Sequence, residues 1–365
     1  MHSNWVTIDT NAVRNNVRFV REHAGTDVMA IVKANAYGHG TIPVAKAALE
    51  AGATWCGVAR YTEALELRNA DIECPILLLG YTPQEALEEM ILQGVSMTVW
   101  TREQLSLLSD AAERAGKAAR IHLNVDTGMS RIGTQVDEVL NIALFIAETP
   151  GIEFEGIYSH FARADEEDPV SADKQWELFQ RAITELRSRD VLPGIIHHAN
   201  SAASLTRGET ALSLVRLGIA MYGLHPSPQC PLPSDFRPVL SWRSVLSDVK
   251  TLPAGRGVSY GHEYITRKTE RIGTIPVGYA DGMRRLKGNQ ALVGGKKVPV
   301  IGRVTMDQIM VQLDGVPDAK IGDEVVLIGN QGDAWITAED VAEKWGTINY
   351  EVTCAIGPRV PRLYP

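Results

Sequence analysis

The sequence predicts an α/β chain in two parts, a closed alternation of strands and helices followed by a smaller, mostly β domain. Three observations carry this reading. Short apolar, β-rich runs alternate with segments of helical periodicity eight times between residues 28 and 215. Five prolines within residues 224–238 then form a stiff, extended stretch of the kind that separates domains. Beyond it the helical period gives way to strand-like alternation, punctuated by turns such as Gly294-Gly295 and Gln331-Gly332-Asp333.

Taken in order, a helix over residues 11–23 precedes strands at 28–32, 55–58, 75–79, 95–99, 121–125, 154–158, 195–198 and 212–215. Between them, residues 83–92, 102–115, 136–148 and 173–188 carry helical periodicity and are long enough for right-handed crossovers. Eight such units describe a (β/α)8 TIM barrel, whose functional side chains come from the C-terminal ends of its strands. The first domain is placed at residues 1–230 and the second at 231–365. The second is expected to hold strands at 239–252, 258–264, 271–277, 297–304, 308–313 and 324–328, with one short helix at 337–345 capped by Thr337.

At 365 residues, 45% hydrophobic and 22% charged, the chain can bury a sizeable core. A net charge of -8 argues against nucleic acid and favours a small-molecule partner. Cys56, Cys74, Cys230 and Cys354 have neither metal-ligand nor redox spacing, so reduced thiols and no metal are expected. The first residues lack a leader pattern and no run is long enough to span a bilayer, which points to the cytoplasm and away from the membrane.

Lys33 closes the first strand and opens a turn of small residues, Ala34-Asn35-Ala36-Tyr37-Gly38-His39-Gly40. A strand-end lysine facing a cavity, its pKa lowered by desolvation, is the type of amine that condenses with an aldehyde. Tyr37 lies four residues on, at helical spacing, with its hydroxyl expected to point back into the same pocket. Other strand ends present Arg60, Asn124 with Asp126, His160, Asn200 with Ser201, and Arg216 with Gly218. In a barrel these converge on one mouth, and the loops after the seventh and eighth strands often bind phosphate. Gly218-Ile219 lets backbone N–H groups approach an anion there. Pyridoxal 5′-phosphate, a phosphorylated aldehyde, satisfies both ends of such a mouth.

A resemblance then runs over essentially the whole chain. Its carriers are the Lys33 stretch, Val125-Asp126-Thr127-Gly128-Met129-Ser130-Arg131-Ile132-Gly133, Tyr158-Ser159-His160-Phe161-Ala162, Asn200-Ser201-Ala202 and Val215-Arg216-Leu217-Gly218-Ile219. In the second domain they are Val258-Ser259-Tyr260-Gly261, Val277-Gly278-Tyr279-Ala280-Asp281-Gly282 and Val304-Thr305-Met306-Asp307-Gln308. In combination the sequence resembles alanine racemase, a fold-type III pyridoxal-phosphate family.

The resemblance implies that Lys33 holds the cofactor covalently and is one of two acid/base groups, Tyr260 being the other. Racemisation takes a proton from one face of Cα and returns it to the opposite face, which suits two groups better than one. A tyrosine ionises near pH 10, so Tyr260 is expected to have a cation or hydrogen-bond donor beside it. Arg216 would face the pyridine nitrogen and keep it unprotonated, because a guanidinium does not readily give up its proton. The ring is then a weaker electron sink, which favours racemisation over transamination, and His160 orients the arginine. Tyr37, Ser201, Tyr350 and the N–H groups of Gly218 and Ile219 would grip the phosphate, with Asn200 in the same cofactor site. Arg131 would contact the cofactor's phenolic oxygen or the substrate carboxylate, Met306 that carboxylate, and Tyr279 and Asp307 would line the entrance. Because several of these lie in the second domain, the resemblance implies a head-to-tail homodimer with shared active sites. His197 and His198 alternate along the seventh strand, one inward and one toward the helices, and neither is assigned a role.

One position departs from the family pattern. Many members carry a carbamylated lysine two residues before the Asp-Thr-Gly motif, where this chain has Asn124. Arg131 is then held either by hydrogen bonding alone or by an anion such as chloride beside Asn124. The bridged form is expected, since charge-assisted contacts are the stronger. The implied activity is interconversion of L- and D-alanine, supplying D-alanine for the bacterial cell wall. Its competitors are a serine or broad-specificity amino-acid racemase and, from a different class, a non-catalytic pyridoxal-phosphate-binding protein.

Overall fold

The computed structural model describes residues 2–365, and the chain divides into two compact units. The first comprises residues 11–36 and 41–237; the second comprises the N-terminal residues through Thr10, residues 37–40 and residues 238–365.

In the first unit the eight expected runs are all strands: Asp27–Ile31, Trp55–Val58, Ile76–Leu78, Ser96–Val99, Ala119–Asp126, Ile152–Tyr158, Ile195–His197 and Leu214–Leu217. They are parallel, with the eighth bonded to the first and the rest following in chain order. Backbone bonds from Ser213 N to Ile196 O (2.9 Å) and from Arg216 N to Ala199 O (3.0 Å) join the seventh strand to the eighth. Burial on both faces is why these strands read as apolar runs rather than alternations. The eighth strand starts two residues later than expected because Thr26 Oγ1 bonds the carbonyls of Leu212 (2.8 Å) and Ser213 (2.9 Å) instead.

Helix Arg102–Ala115 has its expected bounds, set by a reciprocal cap between Thr101 and Gln104 and by Gly116 at φ 62°. Residues 83–92 and 136–148 each open with a 3-10 turn, Gln84–Ala86 and Val136–Glu138, before Leu87–Leu92 and Val139–Glu148. The proline-rich stretch is anchored rather than free. Asn16 donates to Met221 O (3.0 Å) and Arg237 O (2.9 Å) and accepts from Arg237 N (3.0 Å), while Phe236 packs edge-on to Phe19.

The turn after the first strand differs from its expectation. Ala34, Asn35, Ala36 and Tyr37 all have φ between 50° and 55°, a left-handed turn. The right-handed i, i+4 geometry invoked to align Tyr37 with Lys33 therefore does not apply. Left-handed backbone costs L-residues roughly 1–2 kcal/mol each, so this turn needs holding. Glu63 supplies part of the hold: Oε1 accepts from Ala34 N (2.7 Å), and Oε2 from Ala59 N (2.8 Å) and Arg60 N (3.0 Å).

In the second unit, Asn4–Ile8 lies antiparallel to Leu240–Val245 and parallel to Arg362–Leu363, so the N-terminal strand belongs to this sheet. The single strand expected at 239–252 is two, because Leu240–Val245 pairs with Glu324–Gln331 and Asp248–Leu252 with Glu270–Ile275. The strand expected at 258–264 is a hairpin of Gly257–Val258 and Tyr264–Ile265. Its turn contains Tyr260, with Ser259, Gly261 and His262 in the left-handed region. Helix Ala338–Trp345 is capped by Thr337 as expected. A second helix, Asn349–Ala355, follows it. Its β-branched Val352 and Thr353 are weak helix formers, and burial of both, with Asn349 donating to Glu339 (2.8 Å), holds it in place.

Candidate active site

Arg216, on the eighth barrel strand, is buried and ringed by acceptors. Nη1 donates to His197 Nδ1 (2.8 Å), and Nη2 to Ser159 O (2.7 Å), His198 O (2.8 Å) and His160 Nδ1 (3.0 Å). None of these bonds uses Nε. The guanidinium carbon lies 5.1 Å above the Tyr158 ring, a cation–π contact. Burial pulls the guanidinium down to about 10, still well above neutral pH, so it stays charged. An arginine only donates, so His160 accepts through Nδ1 and is neutral. Burial and then the charges of Arg216, Arg131 and Lys33 hold His160 well below the ordinary histidine range.

Lys33 is half-buried at the end of the first strand. Asn124, on the fifth strand, is buried and donates to Tyr158 OH (3.4 Å), which also meets Thr98 Oγ1 (3.1 Å). Burial raises the Tyr158 phenol, which therefore stays protonated. Among the described residues no hydrogen bond joins Asn124 to Arg131, whose side chain is exposed. Ser201 Oγ accepts from Gly218 N (2.9 Å) and Ala220 N (3.4 Å), gathering backbone donors at the turn that Ile219 opens. Asn200 caps the helix Ser201–Thr206 through Ala203 N (3.1 Å).

The other expected site residues belong to the second unit. Tyr37 and Tyr350 face each other with ring centroids 6.0 Å apart, and burial raises the Tyr37 phenol. Tyr260, Met306 and Tyr279 are 69%, 53% and 46% exposed. Tyr279 and Met306 sit on loops pressed together: Tyr279 N donates to Thr305 O (3.0 Å) and Ala280 N to Met306 O (3.1 Å). A Cβ on Gly278 would stand 2.1 Å from Met306 O, so only glycine permits this approach. Asp307 is paired with Arg359 (2.8 Å), which also reaches Asp281 (2.9 Å). Beside Tyr260 in the same turn region, the Arg303 guanidinium covers Gly261 and pairs with Glu263 (2.5 Å).

The alanine racemase N-terminal domain family matches residues 8–226, and the alanine racemase C-terminal domain family matches residues 239–364. The chain belongs to the alanine racemase family. It is accordingly an isomerase of the amino-acid racemase class. Alanine racemase from Desulfovibrio desulfuricans is 43% identical over 364 residues, covering 99% of this chain and 97% of that protein. Its counterpart from Symbiobacterium thermophilum is 43% identical over 367 residues, covering 100% and 97%. The crystal structure of alanine racemase from D-cycloserine-producing Streptomyces lavendulae shares the fold at a TM-score of 0.95 and 41% identity, covering 100% of this chain and 97% of that one. That of the Bacillus anthracis alanine racemase with bound L-Ala-P gives 0.94 and 41%, covering 100% and 95%.

Alanine racemase motifs in the sequence lead directly to Lys33, Arg216 and His160, but several residues around them carry no such mark. Gln175, from helix Val170–Ser188, ties two strand-end loops together. Its Nε2 donates to His160 O (3.0 Å) and Thr127 Oγ1 (3.2 Å), and its Oε1 accepts from Ala162 N (2.8 Å). Glu63 fixes the turn after Lys33, and its signal in the sequence is only that of a carboxylate in the first turn of helix Tyr61–Asn69. His197, left without a role by the sequence, is the inward member of its pair and bonds Arg216, while His198 points to Trp176 and Phe179 of the outer helix.

Proposed function

We propose that the protein interconverts L- and D-alanine with pyridoxal 5′-phosphate, as a cytoplasmic head-to-tail homodimer that supplies D-alanine for the cell wall. The observation that carries this reading is Arg216: buried, charged, fixed through both terminal nitrogens, and with Nε–H left for an acceptor.

The residues present fit the cofactor. Lys33 offers an amine to the aldehyde, Arg216 an N–H to the pyridine nitrogen, and Ser201 with the backbone of Gly218 and Ile219 donors to the phosphate, Tyr37, Tyr350 and Asn200 completing the set. When bound, pyridoxal phosphate supplies the electron-withdrawing ring that makes the substrate's Cα–H acidic. The rest falls to the side chains of this chain. Lys33 moves the Cα proton on one face and Tyr260 on the other. Arg216 donates without surrendering its proton, which limits electron withdrawal and keeps the reaction at racemisation. Arg131 and the Met306 N–H orient the carboxylate, with Tyr279 and Asp307 at the entrance. Tyr260, Tyr279 and Met306 are exposed and therefore accessible to a second copy, which is compatible with their donation to its site.

The test is a racemisation assay of the purified protein, with pyridoxal phosphate, over a panel of L-amino acids. Alanine should be turned over fastest; preference for serine would move the assignment within the class, and no turnover of any substrate would leave a binding protein. Borohydride reduction should fix the cofactor on Lys33, and a label mapping elsewhere would remove Lys33 from its role.

A further inference from the structure

A TIM barrel interior is ordinarily packed with branched apolar side chains, but this one carries a buried polar chain that starts at Arg216. Arg216 Nη1 must donate to His197 Nδ1 (2.8 Å), which leaves the His197 proton on Nε2. That nitrogen donates to His122 Nδ1 (2.9 Å), which leaves the His122 proton on Nε2 in turn. The last donor meets Glu155 Oε2 at 3.2 Å. Every bond therefore points the same way, from guanidinium to carboxylate through two neutral imidazoles. Burial depresses both histidines, in keeping with neutrality. Burial opposes the charge on Glu155, but the bonds from His122 and Ser96 outweigh it and lower its pKa.

Two local devices build this chain. Strands Ala119–Asp126 and Ile152–Tyr158 slip by one residue, Ile121 opposite Phe154 but His122 opposite Gly156, so Glu155 is the extra residue of a bulge. Bulges re-aim side chains, and here the carboxylate turns to His122. A Cβ on Gly156 would lie 2.5 Å from the His122 ring, so this glycine makes room for it. Beyond the imidazoles, Ser96 Oγ donates to Glu155 Oε2, and Arg120 lies 3.6 Å from Oε1. Tyr158 stacks on His197 at 4.7 Å and Trp55 packs edge-on to His122 at 5.6 Å.

We propose that His197, His122 and Glu155 are positioning residues for the racemase reaction, holding the rotamer and the proton of Arg216 by a one-way hydrogen-bond chain through the barrel interior. This rests on the reading of Arg216 as the partner of the cofactor's pyridine nitrogen. A guanidinium anchored at Nη1 to an imidazole polarised by a distant carboxylate cannot rotate without breaking the whole series.

The test has two arms. In the full-length protein with pyridoxal phosphate bound, nitrogen-15 NMR at neutral pH should show His197 and His122 both protonated at Nε2 and bare at Nδ1; a proton on His197 Nδ1 overturns the chain. Glu155→Gln should retain the cofactor but lower kcat about tenfold, the scale of losing an outer hydrogen-bond partner, with KM for alanine unchanged. It should also raise the number of turnovers lost to transamination, followed by the change in cofactor absorption. A merely structural role would lower thermal stability and leave that partition as in the wild type, which overturns the proposal. If Glu155→Gln does not fold, Ser96→Ala, which removes one O–H from the carboxylate, should shift the partition in the same direction, and an unshifted partition has the same meaning. A wild-type protein without racemase activity sinks the functional reading instead, and the NMR arm still decides the chain.

Discussion

Tyr260 stands on an exposed turn and Lys33 half-buried at a strand end, so the two groups assigned to proton transfer come from different surroundings. If each serves one face of Cα, Tyr260→Phe should keep the cofactor and abolish racemisation, with α-hydrogen exchange surviving for one enantiomer at most. Equal residual exchange from both enantiomers would show a single group working both faces. Asn124 bonds Tyr158 and leaves Arg131 unanchored by it, which is the arrangement a bridging anion would complete. Activity should then depend on chloride at constant ionic strength and be indifferent to bicarbonate; indifference to chloride would favour a direct Asn124–Arg131 bond. His198 makes a third case. Both ring nitrogens are buried without a hydrogen bond among the described residues, and the ring stacks on Phe161 at 3.9 Å. Burial, then Arg216 and Arg207, hold its pKa well below the usual value. The folded state thus resists a proton that the unfolded chain accepts near pH 6.5. Stability is full above that pH and lost below it, by about 1.4 kcal/mol per pH unit for each such group. In urea unfolding, His198→Phe should remove one group's share of that acid slope, and an unchanged slope would mean His198 is not neutral in the fold.

At the scale of elements, the turn Lys33–Tyr37 carries local strain beside a proposed site residue, because it fixes where the chain goes after Lys33. Ala34 is exposed at φ 54°, so its side chain has no packing to compensate for the left-handed backbone. Ala34→Val adds a β-branched side chain in this region and should destabilise the protein by roughly 1–2 kcal/mol. Ala34→Gly should restore stability to at least the wild-type level, and the pair can be compared by urea unfolding. If valine were harmless, the turn would have to be right-handed in solution. The bulge at Glu155 and the close approach at Gly278 follow the same logic: a backbone irregularity aims a side chain or a loop that regular structure would send elsewhere.

At the scale of the whole molecule, the proposed site residues are divided between the two units. In the proposed dimer, one copy contributes Lys33 and Arg216 and the other Tyr260, Tyr279 and Met306. Lys33→Ala and Tyr260→Phe should each be inactive alone. Mixed and allowed to exchange subunits, they should regain activity, because one site of each hybrid then has Lys33 from one copy and Tyr260 from the other. A mixture that stays inactive despite hybrids seen by native mass spectrometry would place both residues in one copy.

Strand runs buried on both faces, the helix cap at Thr337, and the motifs around Lys33, His160, Arg216 and Tyr260 are local signals, and the sequence by itself determined them. It also determined the family, because those motifs coincide along one chain. The tertiary structure alone decided that Asn4–Ile8 joins the second sheet, since strand propensity does not name a partner more than 200 residues away. It alone turned residues Ala34–Tyr37 left-handed against their intrinsic preference, with Glu63 bonding Ala34 from 29 residues on. His122 and His197 lie 75 residues apart in the chain, and only the barrel brings their ring nitrogens within 2.9 Å. A sequence records what each residue prefers locally, whereas a hydrogen-bond direction exists only once the fold has set donor against acceptor.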